Sequence, residues 1–224
     1  MNIFISGSSR GIGKAVAERF LKDGHRVVGF DILKSSIQHP DYEHHVVDIA
    51  DRAALPKMQL PAHIVISNAG VQNSGKDIEV NLKGSIYFVE KYAFQPSIQS
   101  VLLVSSASAH SGAEFPEYSA SKGGLLAYMK NAALRLARFG ATCNSISPGG
   151  VTTDLNKPVM ENPDLWNQIM QVTPLKRWAS PEDIAEWVRF LTVVNKNCTG
   201  QDILIDNGEK DLNSHFIWPD SKFL

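Results

Sequence analysis

Apolar residues recur along the chain in two rhythms. Short, nearly continuous apolar runs stand at Asn2–Ile5, Arg26–Phe30, His45–Ile49, His63–Ile66, Ser100–Val104, Ala141–Ser147 and Ile203–Asp206. Runs of this kind, bounded by small or turn-forming residues, predict buried strands. Between them, apolar positions return at three- and four-residue steps. Ala15, Val16, Phe20 and Leu21 form one such face. Leu125, Leu126, Met129, Ala133, Leu136 and Ala137 form a second, and Ile184, Trp187, Val188 and Leu191 a third. That spacing predicts amphipathic helices. The punctuation agrees. Gly24 after Lys22-Asp23 reads as a helix C-terminal glycine. Ser180-Pro181-Glu182-Asp183 reads as a helix start, with an N-cap serine, a first-turn proline and acids at the positive dipole end.

The first strand runs through Ser6-Gly7-Ser8-Ser9-Arg10-Gly11-Ile12-Gly13 into the first helix, and the second strand ends on Asp31. Strand, glycine turn, helix, strand and terminal acid are the layout of a dinucleotide-binding βαβ unit. Glycines let the backbone approach a pyrophosphate, and the helix N-terminus offers it N–H groups and a positive dipole end. Asp31, 18 residues after Gly13, is placed to accept hydrogen bonds from ribose hydroxyls. Farther on, Tyr118 and Lys122 stand four apart at the start of the second helical face. Residues four apart share a side of a helix, so phenol and ammonium can enter one site. A nearby cation favours the phenolate, which makes a tyrosine usable as a proton donor and acceptor near neutrality.

Composition narrows the classes. The chain has 224 residues, is 43% hydrophobic and carries a formal net charge of −1. That suffices for one good core, and no Lys/Arg cluster suggests a nucleic-acid partner. Cys143 and Cys198 lack metal-ligand spacing and read as reduced thiols of an intracellular, cytoplasmic protein with no metal site. No secretory signal is expected where the chain runs directly into Ile3-Phe4-Ile5, and no apolar run approaches the ~18 residues of a membrane span.

The spacing Gly7-x-x-x-Gly11-x-Gly13, together with Tyr118-x-x-x-Lys122, resembles the short-chain dehydrogenase/reductase family. Further motifs follow in the family's order over nearly the whole chain. His45–Ile49 resembles its third strand, with Asp48 and Ile49 beside the adenine. Ser67-Asn68-Ala69-Gly70 resembles its Asn-Asn-Ala-Gly turn, with serine in first place. Val80-Asn81-Leu82-Lys83-Gly84 matches its helical asparagine, and Pro148-Gly149-Gly150-Val151-Thr152-Thr153 its nicotinamide-side stretch. The resemblance implies a doubly wound, Rossmann-type α/β sandwich with a parallel sheet of about seven strands, one domain over 1–224. It implies a substrate lid over 154–178. The C-terminal tail over 207–224 extends past the family's usual end, and its Phe216, Ile217, Trp218 and Phe223 predict docking on this or a neighbouring subunit.

The resemblance also implies hydride transfer between a nicotinamide cofactor and a small-molecule secondary alcohol or ketone. Tyr118 would be the acid-base group, Lys122 its cationic neighbour and ribose ligand, and Asn81 a water-holding member of the proton relay. Ser106, twelve residues before Tyr118, would hold the carbonyl, with Ser105 as the alternative; His110 reads as a loop residue. Gly7, Ser9, Arg10, Gly11, Ile12, Gly13, Asp31, Asn68, Ala69, Gly70, Pro148, Gly149, Val151 and Thr153 complete the implied cofactor set. Asp31 without a following arginine favours NAD over NADP, whereas Arg10 occurs in many NADP-using relatives. An NADPH-linked 3-oxoacyl reductase is the alternative enzyme, and a non-catalytic NAD(H)-binding regulator the alternative of another class. A homodimer or homotetramer is implied by analogy. Three departures stand out: Asp51–Ala62 is too short for the family's long helix, Gly70–Asn81 is trimmed, which predicts a cleft more open on one side, and the closing strand reads Asp206-Asn207-Gly208 without the family's paired glycines.

Overall fold

The computed structural model describes residues 1–113 and 115–212. The aromatic residues singled out in the tail lie outside the described residues. Seven parallel strands form one sheet: β1 (Asn2–Ser6), β2 (Arg26–Asp31), β3 (Tyr42–Val46), β4 (Ile64–Ser67), β5 (Ser100–Val104), β6 (Thr142–Pro148) and β7 (Asp202–Ile205). Their spatial order is β3-β2-β1-β4-β5-β6-β7. Side chains alternate across a strand, so both faces of the continuous apolar runs are used. Ile3, Ile5, Ile64, Ile66 and Leu102 enter one core, against α1 (Gly11–Lys22) and α7 (Pro181–Arg189). Phe4, Val65, Val101 and Leu103 enter the other, against α2 (Ser85–Tyr92) and α4 (Pro116–Leu136). Among the described residues, no helix is long and apolar enough to cross a membrane.

The chain leaves β3 at one edge and returns on the far side of β1 to form β4. The carboxyl ends of β1 and β4 therefore splay their connections in opposite directions and leave a crevice between them, the place where this fold binds ligands. The expected strands are found with shifts of a residue or so at their ends, with one exception. The third was expected over His45–Ile49, but β3 is Tyr42–Val46, paired Val27↔Tyr42 to Asp31↔Val46. It is an edge strand of half-buried, mostly polar residues, so its register follows its pairing with β2 rather than an apolar run. Asp48 thus falls beyond the strand, exposed, its Oδ1 accepting the Ala50 N–H at 2.8 Å.

The trimmed segments behave as their lengths imply. Asp51–Ala62 contains turns and no helix, held by buried Leu55 and by the Tyr92 hydroxyl donating to the Pro56 carbonyl at 2.8 Å. Beside it lies an open groove lined by Asp48, Asp51, Arg52, Lys76, Glu79 and Tyr87. Asn81, expected on an ordinary helix, sits on a π-helical turn, Ile78–Gly84, that leads into α2.

The glycine turn is held by close backbone packing. Gly7 has φ +70°, and a side chain there would come within 2.7 Å of the Ala69 Cα; at Gly13 a Cβ would lie 2.0 Å from the Gly7 carbonyl oxygen. Because that obstacle is backbone, Gly13→Ala is expected to cost about 2–3 kcal/mol in urea unfolding and to abolish NADH fluorescence enhancement. An alanine variant of unchanged midpoint that still binds NADH would contradict this packing.

Candidate active site

The glycine turn, at the carboxyl end of β1, shapes one end of the crevice. Helix α1 begins at Gly11 with Arg10 as N-cap, and no side chain caps its first-turn N–H groups. Anions are favoured at such an end. Asn68 clamps the turn from β4, donating from Nδ2 to the Gly7 carbonyl at 3.0 Å; the Ser6 hydroxyl accepts the Asn68 and Ala69 N–H groups. Asp31, 9% exposed, ends β2, its Oδ2 accepting the Ser9 N–H at 2.9 Å and its Oδ1 the Leu33 N–H at 2.9 Å. Thr153 approaches from the other wall; its Cγ2 would be 3.4 Å from a Cβ at Gly11. A bare, uncapped helix end with a carboxylate at the next strand terminus fits a dinucleotide. It would be held by Gly7, Ser9, Arg10, Gly11, Ile12, Gly13, Asp31, Asn68, Ala69 and Gly70.

A cavity of about 350 Å³ continues from there. Ile12, Asn68, Gly70, Ser106, Tyr118, Lys122, Pro148, Gly149, Val151 and Thr153 all line it. The two serine alternatives separate. The Ser105 hydroxyl donates to the Lys122 carbonyl at 2.9 Å, which ties β5 to α4. The Ser106 hydroxyl instead accepts the Ser108 N–H and donates to the Ser108 hydroxyl, each at 3.2 Å, in the turn that opens α3 (Ser108–Ser111). Ser105 thus ties two elements together, while Ser106 is held by Ser108 within its own turn; both line the cavity. His110 turns away, its Nε2 2.8 Å from Asp202 Oδ2 on β7. Two expected cofactor residues stand apart: Asp48 lines the separate open groove, and Ile49 is 3% exposed, against Gly84 of the π-helical turn.

Asn81 is fully buried. Its Oδ1 accepts the Val71 N–H at 2.8 Å, and its Nδ2 donates to the Val71 carbonyl at 2.9 Å and to the Ser121 hydroxyl at 3.0 Å. Ser121 passes the connection on, donating to the Tyr118 carbonyl at 2.7 Å. Asn81 and Lys122 meet at Gly70, where a Cβ would lie 3.2 Å from Asn81 Oδ1 and 3.3 Å from Lys122 Nζ. Reading the sequence missed Ser121; its place one turn after Tyr118, on the same face, was the available signal. Also missed were Gln72, Glu209 and Lys210, which line the cavity from loops that carry no periodicity. The stretch expected as a lid contains α5 (Lys157–Met160) and α6 (Pro163–Val172). Leu155, Val159, Ile169 and Trp178 from it face the cavity, and Trp166 packs edge-on against Trp178 at 5.1 Å between centroids.

Lys122 is the electrostatic centre. It is 5% exposed, its Nζ donates to the Val104 carbonyl at 3.0 Å, and it lies 5.7 Å from the centroid of the Tyr118 ring. Burial lowers its pKa from the ordinary 10.5 to about 8, with the negative charge of Asp77 acting in the opposite sense. A depressed lysine pKa means that the cost of burying the charge is fully present below about pH 8. It fades as pH rises toward 10.5, so stability rises with pH in that window. The shift corresponds to about 3 kcal/mol. Lys122→Met is therefore expected to exceed the parent protein in unfolding free energy at pH 7 by up to that amount. The gap should narrow by about pH 9.5. Equal gaps at both pH values in urea titrations would show that no charge is buried there.

Comparison with known proteins agrees with this geometry. A family model described as enoyl-(acyl carrier protein) reductase matches residues 7–210. An L-rhamnose 1-dehydrogenase (NADP(+)) of Thermoplasma acidophilum is 30% identical over 242 residues, covering 92% of this chain and 95% of that protein. A short-chain dehydrogenase family protein from Francisella tularensis superposes with a TM-score of 0.80 at 26% identity, over 93% of this chain and 98% of that one. The aldohexose dehydrogenase of Thermoplasma acidophilum, at 22% identity and a TM-score of 0.84 over 96% of both chains, shares the fold. With the glycine turn, the seven-stranded sheet and the Tyr118–Lys122 helix in place, the chain belongs to the short-chain dehydrogenase/reductase family and is a nicotinamide-dependent oxidoreductase acting on CH–OH groups.

Proposed function

We propose that the chain interconverts a small secondary alcohol and its carbonyl compound with NAD as the preferred cofactor, using Ser106, Tyr118 and Lys122. The observation that carries this reading is the convergence of those three side chains on one cavity with Gly70, Pro148, Gly149, Val151 and Thr153. A bound nicotinamide supplies or takes the hydride. The Ser106 hydroxyl donates to the substrate oxygen and polarises it. Tyr118 gives its phenolic proton to that oxygen in reduction and removes it in oxidation. Lys122 favours the phenolate by its charge and hydrogen-bonds the nicotinamide ribose. The Asn81 amide is committed to Val71 and Ser121 rather than to a water, so its part is to fix the π-helical turn against the Tyr118 helix. The apolar wall of Leu155, Val159, Ile169 and Trp178 acts as a lid that keeps water from the reacting atoms.

NAD is favoured because the Asp31 carboxylate, at the end of β2, accepts from a 2′-hydroxyl and repels a 2′-phosphate. Ile32 and Leu33, which follow it, are exposed and bring no cation. Arg10 is the feature on the NADP side, and the NADP-linked relative and the acyl-carrier-protein description keep an NADPH-linked 3-oxoacyl reductase as the second reading. A homodimer or homotetramer packed on α4 is the assembly we propose, supported by Leu134, 80% exposed on that helix. A cytoplasmic setting accords with the free thiols Cys143 and Cys198.

Two measurements check this reading. Tyr118→Phe is expected to lower kcat at least about 100-fold and to leave the Kd for NADH within about twofold of the parent value; retained turnover would remove Tyr118 from its role. Catalytic efficiency is expected to be higher with NADH than with NADPH, and the reverse order would move the protein to the second reading.

A further inference from the structure

Behind the Asp31 end of the crevice lies a polar network that none of these roles uses. Tyr42 and His44, two apart on β3, lie on the same face of that strand. The Tyr42 hydroxyl is 3.1 Å from Ser8 Oγ and 3.0 Å from His44 Nδ1. His44 Nε2 is 2.9 Å from the Leu33 carbonyl, which also accepts the Ser9 hydroxyl at 3.1 Å. Ser8 and Ser9 are neighbours, so the bonds close into a ring through Ser8, Tyr42, His44, Leu33 and Ser9. A carbonyl only accepts, so His44 donates from Nε2. In its neutral form it then accepts at Nδ1 from Tyr42, and Tyr42 accepts from Ser8. One tautomer satisfies every group.

The fold makes room for this ring. Ser8 is fully buried, and a Cβ at Gly29 on β2 would lie 2.2 Å from the Tyr42 hydroxyl and 2.3 Å from Ser8 Oγ. Gly29 has no φ that demands glycine; its bareness serves the contact between Tyr42 and Ser8. The two segments joined by the ring are those that grip Asp31, through the Ser9 N–H on Oδ2 and the Leu33 N–H on Oδ1.

We propose that Tyr42 and His44 are positioning residues for cofactor selection. By tying the Leu33 carbonyl to the glycine turn, they hold the Asp31 carboxylate where it accepts a ribose 2′-hydroxyl and opposes a 2′-phosphate. The proposal rests on the reading of Asp31 as the ribose ligand. With exposed apolar side chains at Ile32 and Leu33, discrimination depends on a carboxylate that does not move aside.

The test is fluorescence titration of the full chain with NADH and with NADPH, using Tyr42→Phe, His44→Phe, His44→Gln and Asp31→Ala, with thermal midpoints recorded for each. Tyr42→Phe and His44→Phe are expected to raise the Kd for NADH about five- to tenfold, the value of one net hydrogen bond. NADPH affinity should stay the same or improve, so that the NADH/NADPH preference narrows. His44→Gln, which keeps a donor and an acceptor, should restore part of the preference. An unchanged preference in both phenylalanine variants, while Asp31→Ala weakens NADH, would overturn the proposal and leave Asp31 in its role. Asp31→Ala without effect on NADH would instead overturn the reading beneath it. Equal loss of both nucleotides together with a lowered midpoint would also overturn the proposal, as the mark of a merely structural ring.

Discussion

The site depends on one costly interaction: an ammonium group, Lys122, held almost out of water beside the ring of Tyr118. A buried cation is tolerated only where hydrogen-bond acceptors replace its hydration. The Val104 carbonyl at the end of β5 supplies one, and buried Asp77 contributes an opposite charge from the turn before the π-helix. Other elements of the site keep this arrangement in place. Ser105 fastens β5 to the Lys122 backbone, and Asn81 fastens the π-helical turn through Ser121 to the Tyr118 backbone. Gly70 has no side chain because the carboxamide and the ammonium meet over it.

The parallel sheet makes this constellation possible by burying both of its faces. Alternate residues of β1, β4 and β5 feed two separate cores, so the strand ends are rigid platforms from which short loops present chemistry. The reversal of strand order between β1 and β4 opens the crevice. The glycine turn and Asp31 occupy one end of it, and Ser106, Tyr118 and Lys122 the other. Two carboxylates of similar chemistry thereby serve different ends. Asp31, gripped by two backbone N–H groups, ends β2 beside the glycine turn, whereas Asp77, gripped by the Asn73 and Ser74 N–H groups, offsets the charge of Lys122.

Most of this was legible in the sequence because its causes are local. Apolar runs gave the strands, three- and four-residue steps gave α1, α4 and α7, and the four-residue interval placed Tyr118 and Lys122 together. What was not legible has causes distant in the chain. The π-helical turn at Ile78–Gly84 accompanies Asn81 reaching Val71 and Ser121, and Gly84 packing on Ile49, contacts that no local propensity encodes. The register of β3 is set by pairing with β2, so the apolar end of the His45–Ile49 run misplaced the strand and with it Asp48. The partners of Ser105 and Ser106 were equally illegible: one hydroxyl reaches across to the Lys122 backbone, and the other bonds Ser108 within its own turn. Helix α6 is a different case: Asn162-Pro163-Asp164 is a readable start, with the Asn162 side chain accepting the Asp164 and Leu165 N–H groups.

The most direct test of the central claim is to follow the hydride itself. The protein would be incubated with NADH carrying deuterium at the transferable nicotinamide position. The panel would hold ketones, sugar lactones and 3-oxoacyl thioesters, and the products would be read by mass spectrometry. The account predicts one deuterium on the new carbinol carbon of at least one panel member, and none from the Tyr118→Phe protein. Bound NADH that keeps all of its label against every member, or label transferred equally well without Tyr118, would contradict it.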